Sequence, residues 1–210
     1  MGGRIAGLYA ITSEEPCTEI LVDKVRQALA GGASVVQYRS KTGNAALRHE
    51  QGRALAALCR AAGAPLIVND DLALALDADG VHLGADDGDL VAARQRLRQG
   101  RLLGASCYDR IELAQAAAKA GVDYLAFGSV FGSGTKPAAV RAPLALFTEA
   151  RKSIHLPLVA IGGITLQNAS QVFAAGADAA AVIGALFEAG DIAACACGFT
   201  QLYQQQRIHQ

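Results

Sequence analysis

The chain has 210 residues, of which 52% are hydrophobic and 18% charged, and this composition predicts a large folded core and excludes a disordered chain. Its 19 basic and 19 acidic residues balance, so the charge gives no sign of a nucleic acid or an anionic membrane as partner. Five cysteines without a C-x-x-C pair, no signal peptide and no long apolar stretch predict a cytoplasmic protein with reduced thiols and no membrane span.

Short apolar segments rich in β-branched residues recur along the chain and predict strands. In chain order they cover residues 7–12, 35–40, 65–70, 80–84, 102–107, 124–129, 158–163 and 180–184. Ala- and Leu-rich segments such as 44–61 and 109–120 lie between them and predict helices. Buried strands that alternate with helices are typical of a parallel sheet covered on both faces.

Eight such units in a chain of this length predict an α/β fold, the (β/α)8 or TIM barrel, as a single domain over residues 1–210. The alternative is an open doubly wound sheet. We favour the barrel because all eight segments are similarly apolar, so none is distinguished as an edge strand. The active site of such a barrel lies at the carboxyl ends of its strands, and the side chains there are therefore the candidates.

The second predicted strand ends with an amide and two cations, Gln37, Arg39 and Lys41. Alternate residues of a strand face the same way, so Gln37 and Arg39 share a face and Lys41 follows at the mouth. An arginine fork and a mobile ammonium suit a polyphosphate. The alternative interpretation is a solvated strand end with an incidental ion pair.

Carboxylates follow the third and fourth predicted strands. The third strand ends in Asn69 and Asp70 with Asp71 next, and Asp86 and Asp87 come after the fourth. Because neighbouring strands lie about 4.8 Å apart, these side chains can reach one site, and two carboxylates that leave positions open for water and substrate suit Mg²⁺. They could instead cap the helices that follow. We expect one Asp of each pair to cap and the other to face the ligand.

Two further strands carry polar side chains near the predicted mouth. His82 lies within the fourth strand, where a lone histidine predicts a packed, hydrogen-bonded core residue. Ser106 ends the fifth strand and predicts a hydrogen-bond donor to a ligand, since no neighbouring base would activate it as a nucleophile.

Glycine-rich segments follow the last three predicted strands. Residues 132–136, GSGTK, could close over an anion through backbone N–H groups or form an ordinary turn. Gly162 and Gly184 end the seventh and eighth strands, where small residues allow a phosphate to approach the backbone. Tight packing at a corner is the alternative. Together the strand ends predict two anionic ligands, one of them bound with a metal.

These segments resemble the thiamine-phosphate synthases. The similarity runs from about Gly7 to Phe187 through LYAIT, VVQYRSK, LIVNDDLALALDADGVHLGADD, LGASCYD, DYLAFGSVFGSGTKP and VAIGGIT. It implies that an aminopyrimidine diphosphate loses pyrophosphate and that the ring nitrogen of a thiazole phosphate takes its place, giving thiamine phosphate. An electron-rich aminopyrimidine can stabilise a methylene cation, so the resemblance implies departure of the leaving group before attack.

The resemblance also implies a role for each candidate residue, with Mg²⁺ as the cofactor. The residues implied to bind the pyrimidine diphosphate are Gln37, Arg39, Lys41, Asn69, Ser106 and Lys136. Within that set, the catalytic candidates are Arg39, Lys41, Ser106 and Lys136. The implied ligands of Mg²⁺ are Asp70 and Asp87. The residues implied to receive the thiazole phosphate are Ser133, Thr135, Gly162, Ile183 and Gly184.

Two other functions remain open at this point. A related thiazole tautomerase would need no metal, but such relatives tend to have a histidine in the sixth-strand region, where this chain has Ser129. A non-catalytic sensor of thiamine phosphates would bind without turnover. The partners expected are small-molecule substrates, with neither nucleic acid nor membrane, and the sequence leaves open whether the chain forms a homo-oligomer.

Overall fold

The chain forms a closed barrel of eight parallel strands in sequence order, with β1 paired to both β2 and β8. The structure is a computed structural model that describes residues 5–84, 87–132 and 140–208. The strands are β1 (Gly7–Ile11), β2 (Val35–Tyr38), β3 (Leu66–Asn69), β4 (Gly80–Leu83), β5 (Leu102–Tyr108), β6 (Tyr124–Gly128), β7 (Leu158–Ile161) and β8 (Ala179–Val182). The predicted (β/α)8 barrel is thus confirmed, and an open sheet is excluded because β1 and β8 pair.

The helices of the described residues surround this barrel. They are α1 (Thr18–Ala30), α2 (Ala45–Ala62), α3 (Leu90–Arg96), α4 (Ile111–Lys119), α5 (Ala145–Arg151), α6 (Ala169–Ala174), α7 (Gly184–Phe187) and α8 (Ile192–Ile208). Between β3 and β4 there is only a turn of 3-10 helix, Leu74–Asp77, because the short connection leaves no room for a longer helix. Within these ranges, none of the helices combines the length and the hydropathy that crossing a membrane requires.

Apolar side chains form two layers. The larger layer lies between the strands and the helices, and the smaller one fills the barrel interior. In the interior, Tyr9 of β1 lies beside Ala181 of β8 in the sheet register, so a large inward side chain is accommodated next to a small one. Tyr9 and Tyr124 are both fully buried there.

An aspartate at the amino end of three strands fastens each to the strand before it. Directly before β6, Asp123 Oδ2 accepts hydrogen bonds from Arg94 Nη1 at 2.9 Å and from the Leu103 backbone N–H at 2.7 Å. Asp79 and Asp178 make the corresponding contacts at the amino ends of β4 and β8. These contacts lie opposite the barrel mouth and therefore stabilise the fold rather than the site.

Candidate active site

Three side chains from three different strand ends meet at the mouth of the barrel. Lys41 follows β2, and its Nζ contacts Asp70 Oδ2 just beyond β3. Asp87, which follows β4, lies close enough to Asp70 for the two carboxyls to shift each other's pKa. The structure therefore brings together one predicted cation and both predicted metal ligands, at the end of the barrel where the sequence places them.

The two aspartates that follow β3 make different contacts. Asp71 Oδ1 accepts a hydrogen bond from the Leu74 N–H at 3.0 Å and so caps the 3-10 turn. Asp70 has a φ of 62°, in the left-handed region that aspartate tolerates better than most residues, and its carboxylate contacts Lys41. The predicted capping role of one aspartate is confirmed for this pair, whereas the ligand-facing role of Asp70 stays a prediction.

The corresponding prediction for the second pair is wrong as far as the structure describes it. The N-cap of α3 is Asp89, whose Oδ1 accepts from the Val91 N–H at 2.8 Å. Asp87 instead folds back, and its Oδ2 accepts from the Gly84 N–H at 2.7 Å. The helix α3 begins at Leu90, directly after Asp89, and Asp86 lies outside the described residues.

The pKa values of Asp70 and Asp87 are shifted in opposite directions because the two carboxyls lie close together. Partial burial and the hydrogen bond to Asp70 raise the pKa of Asp87. Burial alone would raise the pKa of Asp70 too, but its contacts with Lys41 and Asp87 outweigh that effect and lower it. The pair thus holds one proton more readily than two isolated carboxyls would, because two carboxylates this close repel each other.

This donor set fits Mg²⁺. A divalent cation relieves the repulsion that raises the pKa of Asp87, and Mg²⁺ is usually held by one or two carboxylates with water and substrate phosphates completing its shell. In residues 5–84, 87–132 and 140–208, no cluster of three or more His, Cys, Asp or Glu side chains is placed to hold a metal. Two carboxylates alone would need oxygen atoms of water and substrate to complete the shell of Mg²⁺.

The segment that carries Arg39 and Lys41 is fastened to the end of β1. Glu14 accepts hydrogen bonds from the Lys41 N–H at 2.6 Å and from Thr42 Oγ1 at 2.8 Å. Thr12 Oγ1 accepts from the Arg39 N–H at 3.0 Å and donates to its carbonyl at 3.2 Å. Arg39 lies one residue beyond β2, where the hydrogen bonds of the sheet no longer hold the backbone. The contacts with Glu14 and Thr12 therefore orient this segment.

A chain of buried hydrogen bonds crosses the barrel interior beneath the mouth. Gln37 Nε2 donates to Tyr9 Oη at 2.9 Å, and the two tyrosine hydroxyls, Tyr9 and Tyr124, lie 2.8 Å apart. His82 Nδ1 lies 3.1 Å from Tyr124 Oη, and His82 Nε2 lies 2.9 Å from Ser106 Oγ. Two predicted substrate contacts, Gln37 and Ser106, are therefore the two ends of one continuous network.

His82 is neutral within this network. Burial lowers its pKa from 6.5 to about 4, against the opposing effect of the Asp70 charge. Burial likewise raises the pKa of both Tyr9 and Tyr124. The prediction of His82 as a packed, hydrogen-bonded core residue is confirmed, and every group between Gln37 and Ser106 is uncharged at neutral pH.

Gly162 lies where a side chain could not. Its φ is 105°, and a Cβ there would come within 2.1 Å of Ser129 Oγ, because the loop after β7 crosses the end of β6. The Gly162 carbonyl accepts from the Phe131 N–H at 3.0 Å. Tight packing at this corner therefore accounts for Gly162 whether or not a phosphate binds there.

The remaining predicted residues are less closely tied to the mouth. Ile183 packs against the interior apolar layer, and a Cβ on Gly184 would lie 3.1 Å from Glu188 Oε1. Asn69 ends β3 and is paired with His82 in the register. Ser133, Thr135 and Lys136 lie outside the described residues.

The sequence analysis missed four residues of the site. Two of them could have been predicted from their position at a strand end, and two could not. Thr12 ends the first predicted strand and Glu14 lies two residues beyond it, so the rule that singled out the ends of the other strands also applied to them. Tyr9 and Tyr124 were part of apolar strands, and nothing in their local sequence distinguishes a tyrosine whose hydroxyl bonds across the barrel from one that only packs.

Comparisons with known proteins agree with this geometry. The family model described as thiamine monophosphate synthase matches residues 8–186. Thiamine-phosphate synthases of Aromatoleum aromaticum and Thiobacillus denitrificans are 56% and 54% identical, covering 95% and 94% of this chain and 97% and 94% of theirs. The solved thiamine phosphate pyrophosphorylase of Pyrococcus furiosus superposes with a TM-score of 0.87 at 35% identity, over 96% of each chain.

Proposed function

The chain belongs to the thiamine monophosphate synthase family, and we propose that it is a transferase that makes thiamine phosphate. Its substrates would be an aminopyrimidine diphosphate and a thiazole phosphate, in the form with or without a carboxylate, and its second product pyrophosphate. The observation that carries the proposal is the contact of Lys41, Asp70 and Asp87 at the carboxyl ends of three adjacent strands. That arrangement suits a diphosphate that leaves together with a cation.

The mechanism that this site supports is a dissociative substitution. Departure of pyrophosphate places negative charge on the leaving group, and fixed cations that face this charge lower the barrier. Lys41 and Arg39 lie on the segment that Glu14 and Thr12 hold in place, and Lys136 is proposed to add a third charge. The aminopyrimidine stabilises its own methylene cation, so no protein nucleophile is needed.

We propose Mg²⁺ as the cofactor, held by Asp70 and Asp87. When bound, the ion would neutralise charge on the departing diphosphate. Lys41 contacts Asp70 in the structure described here, so the same ammonium lies within reach of a ligand at that carboxylate. Asn69, Gln37 and Ser106 would orient the pyrimidine diphosphate over this pair.

The thiazole phosphate is proposed to bind on the other side of the mouth. Gly162, Ile183 and Gly184 lie at the ends of β7 and β8, where backbone N–H groups can approach a phosphate. Ser133 and Thr135 would add hydroxyl contacts from the β6 loop. Gly184 stands where family members often have serine, so only its backbone is available for this contact.

Two further expectations from the sequence, on domain organisation and on partners, are also proposals. We propose that residues 1–210 form one domain, since the barrel strands run from Gly7 to Val182 and α8 packs against β1. The partners would be the small-molecule substrates. A tautomerase activity is not favoured, because the relatives compared are named synthases and Ser129 Oγ is used in a hydrogen bond to the Phe131 carbonyl at 2.6 Å.

A coupled assay for pyrophosphate tests the function. Release should require both substrates and stop when a chelator removes divalent cations. Asp70→Asn and Asp87→Asn should each reduce turnover by at least about 100-fold, since each removes a charge that faces the cation. The matched control is Asp89→Asn, which removes a carboxylate of the same loop that only caps α3. Near-normal rates for both site variants would refute the metal assignment, and release from one substrate alone would refute the transfer reaction.

A further inference from the structure

Two tyrosines in the barrel interior have no role in the proposed reaction. Tyr9 on β1 and Tyr124 on β6 are separated by 115 residues, yet their hydroxyls are hydrogen-bonded to each other. Each also bonds a residue that leads to the mouth, Tyr9 through Gln37 and Tyr124 through His82. Both rings are fully buried, and burying two hydroxyls where apolar side chains would pack costs free energy unless each is bonded.

The donors and acceptors of this network allow one direction. Gln37 donates through Nε2, so Tyr9 Oη accepts there, and the proton of Tyr9 is left for Tyr124. Tyr124 has then accepted from Tyr9 and donates its own proton to Nδ1 of His82. A neutral imidazole that accepts at Nδ1 carries its proton on Nε2.

The direction extends to the surface of the site at both ends. His82 Nε2–H donates to Ser106 Oγ over 2.9 Å, so the hydroxyl proton of Ser106 is left to donate to a ligand. At the other end, one N–H of Gln37 Nε2 is used on Tyr9, and this bond fixes the orientation of the amide, so that its carbonyl oxygen is available to accept. The opposite direction would leave the buried proton of Tyr9 without an acceptor, because an amide nitrogen accepts no hydrogen bond.

We propose that Tyr9, Tyr124 and His82 are positioning residues that set which of the two substrate contacts donates and which accepts. The network makes Ser106 a donor and Gln37 an acceptor, and it couples the two across the barrel. This inference rests on the proposed function, because Ser106 and Gln37 matter only if the pyrimidine diphosphate binds between them.

The proposed polarity suits that ligand. A diphosphate offers only acceptors, so a serine that contacts it must donate. An aminopyrimidine carries an amino group that donates, so a glutamine that presents its carbonyl oxygen can accept from it. Buried polar groups that point the wrong way are left unpaired, and this makes a fixed polarity a source of discrimination.

The test is Tyr124→Phe, which keeps the ring and removes the hydroxyl that connects Tyr9 to His82. We expect kcat/KM for the pyrimidine diphosphate to fall by about fivefold to tenfold, as for one misdirected hydrogen bond, and KM for the thiazole phosphate to stay unchanged. The matched control is Tyr38→Phe, which removes a buried hydroxyl that also bonds a glutamine, Gln51 at 2.7 Å, but faces α2. That variant should lose stability without a change in either KM.

A double variant distinguishes positioning from simple destabilisation. If Tyr124 acts through Ser106, the loss of kcat/KM in the double variant Tyr124→Phe, Ser106→Ala should be smaller than the product of the losses in the two single variants. For Tyr38→Phe combined with Ser106→Ala, the loss should equal the product of the two single losses. Equal losses for Tyr124→Phe and Tyr38→Phe, or full multiplication in both pairs, would overturn the proposal.

The tautomer of His82 supplies a measurement that needs no activity. ¹⁵N NMR of the ligand-free chain should show the Nε2–H form in the wild type and a mixture in Tyr124→Phe. A wild-type Nδ1–H form would overturn the proposed direction even if the enzyme makes thiamine phosphate. A wild type with the Nε2–H form that releases no pyrophosphate would instead refute the proposed function and leave the network direction standing.

Discussion

Lys41 and Asp70 form an ion pair that joins the segment after β2 to the loop after β3, directly at the mouth of the barrel. Asp70 also lies close enough to Asp87 for the two carboxyls to shift each other's pKa. The ammonium therefore faces the same carboxylate that is proposed to hold Mg²⁺. A ligand that carries both phosphate oxygens and a cation can exchange these contacts without leaving a charge unpaired.

Replacing Lys41 should separate leaving-group stabilisation from metal binding. We expect Lys41→Met to lower kcat by about 10- to 100-fold, because a charge-assisted contact to the departing pyrophosphate is lost. Binding of Mn²⁺ as a probe ion, followed by electron paramagnetic resonance, should not weaken, since Lys41 and the ion compete for Asp70. The control is Arg48→Met, which removes the cation paired with Asp71 at 3.5 Å and should leave kcat within about twofold. Weaker Mn²⁺ binding in Lys41→Met would contradict the competition.

Removing Glu14 should loosen the segment that carries the cations. Glu14→Ala deletes the acceptor of the Lys41 N–H and of Thr42 Oγ1, so we expect KM for the pyrimidine diphosphate to rise about fivefold or more. Thermal unfolding should change little, because Glu14 is exposed. Glu15→Gln is the control, since Glu15 pairs with Lys24 and its side chain does not contact this segment. An unchanged KM in steady-state kinetics would show that Thr12 alone holds the segment.

Protonation of His82 should destabilise the fold in mild acid. Its pKa is about 4 in the folded chain and 6.5 in the unfolded chain, so between these values the unfolded state binds the proton and the folded state does not. Stability is therefore complete above about pH 6.5 and decreases as the pH falls toward 4, by about 2 kcal/mol at pH 5. Urea unfolding of the wild type and of His82→Gln at pH 7 and pH 5 measures this. The variant should lose about 2 kcal/mol less than the wild type, and equal losses would show that His82 does not contribute.

Gly162 should tolerate no side chain. In Gly162→Ala the new Cβ would meet Ser129 Oγ at 2.1 Å at a φ of 105°, and we expect the free energy of unfolding to fall by about 2 to 4 kcal/mol. The control is Gly190→Ala, where no atom lies within 4 Å of the new Cβ; it should be near neutral. Calorimetric unfolding that gives the two variants the same stability would contradict this account of the corner.

Much of the site was accessible from residue order because the fold repeats a simple rule. Apolar segments of strand length alternate with helices, and parallel strands place their carboxyl ends together. Residues such as Arg39, Asp70 and Ser106 could therefore be assigned to the mouth before any coordinates existed. The same rule covered Glu14, which lies three residues beyond the end of β1.

The residue that caps a helix was less predictable where two residues of the same type lie close together in the sequence. Asp87 and Asp89 are both plausible caps for α3, and the start of the helix decides between them; it lies at Leu90, after Asp89. Helix starts depend on how far the preceding loop extends, which is set by contacts such as that of Asp87 with the Gly84 N–H. The length of the loop before α3 therefore cannot be predicted from the sequence alone.

The sequence alone predicted the barrel, the strand ends and the acidic and basic groups at those ends. It could do so because strand periodicity and parallel pairing are local or repeated properties. The contact of Tyr9 with Tyr124 required the folded chain, since alternation indicates that a side chain faces inward but not which distant side chain it meets there. The polarity of Gln37 and Ser106 depends on that contact, because a proton donor becomes defined only when all of its neighbours are.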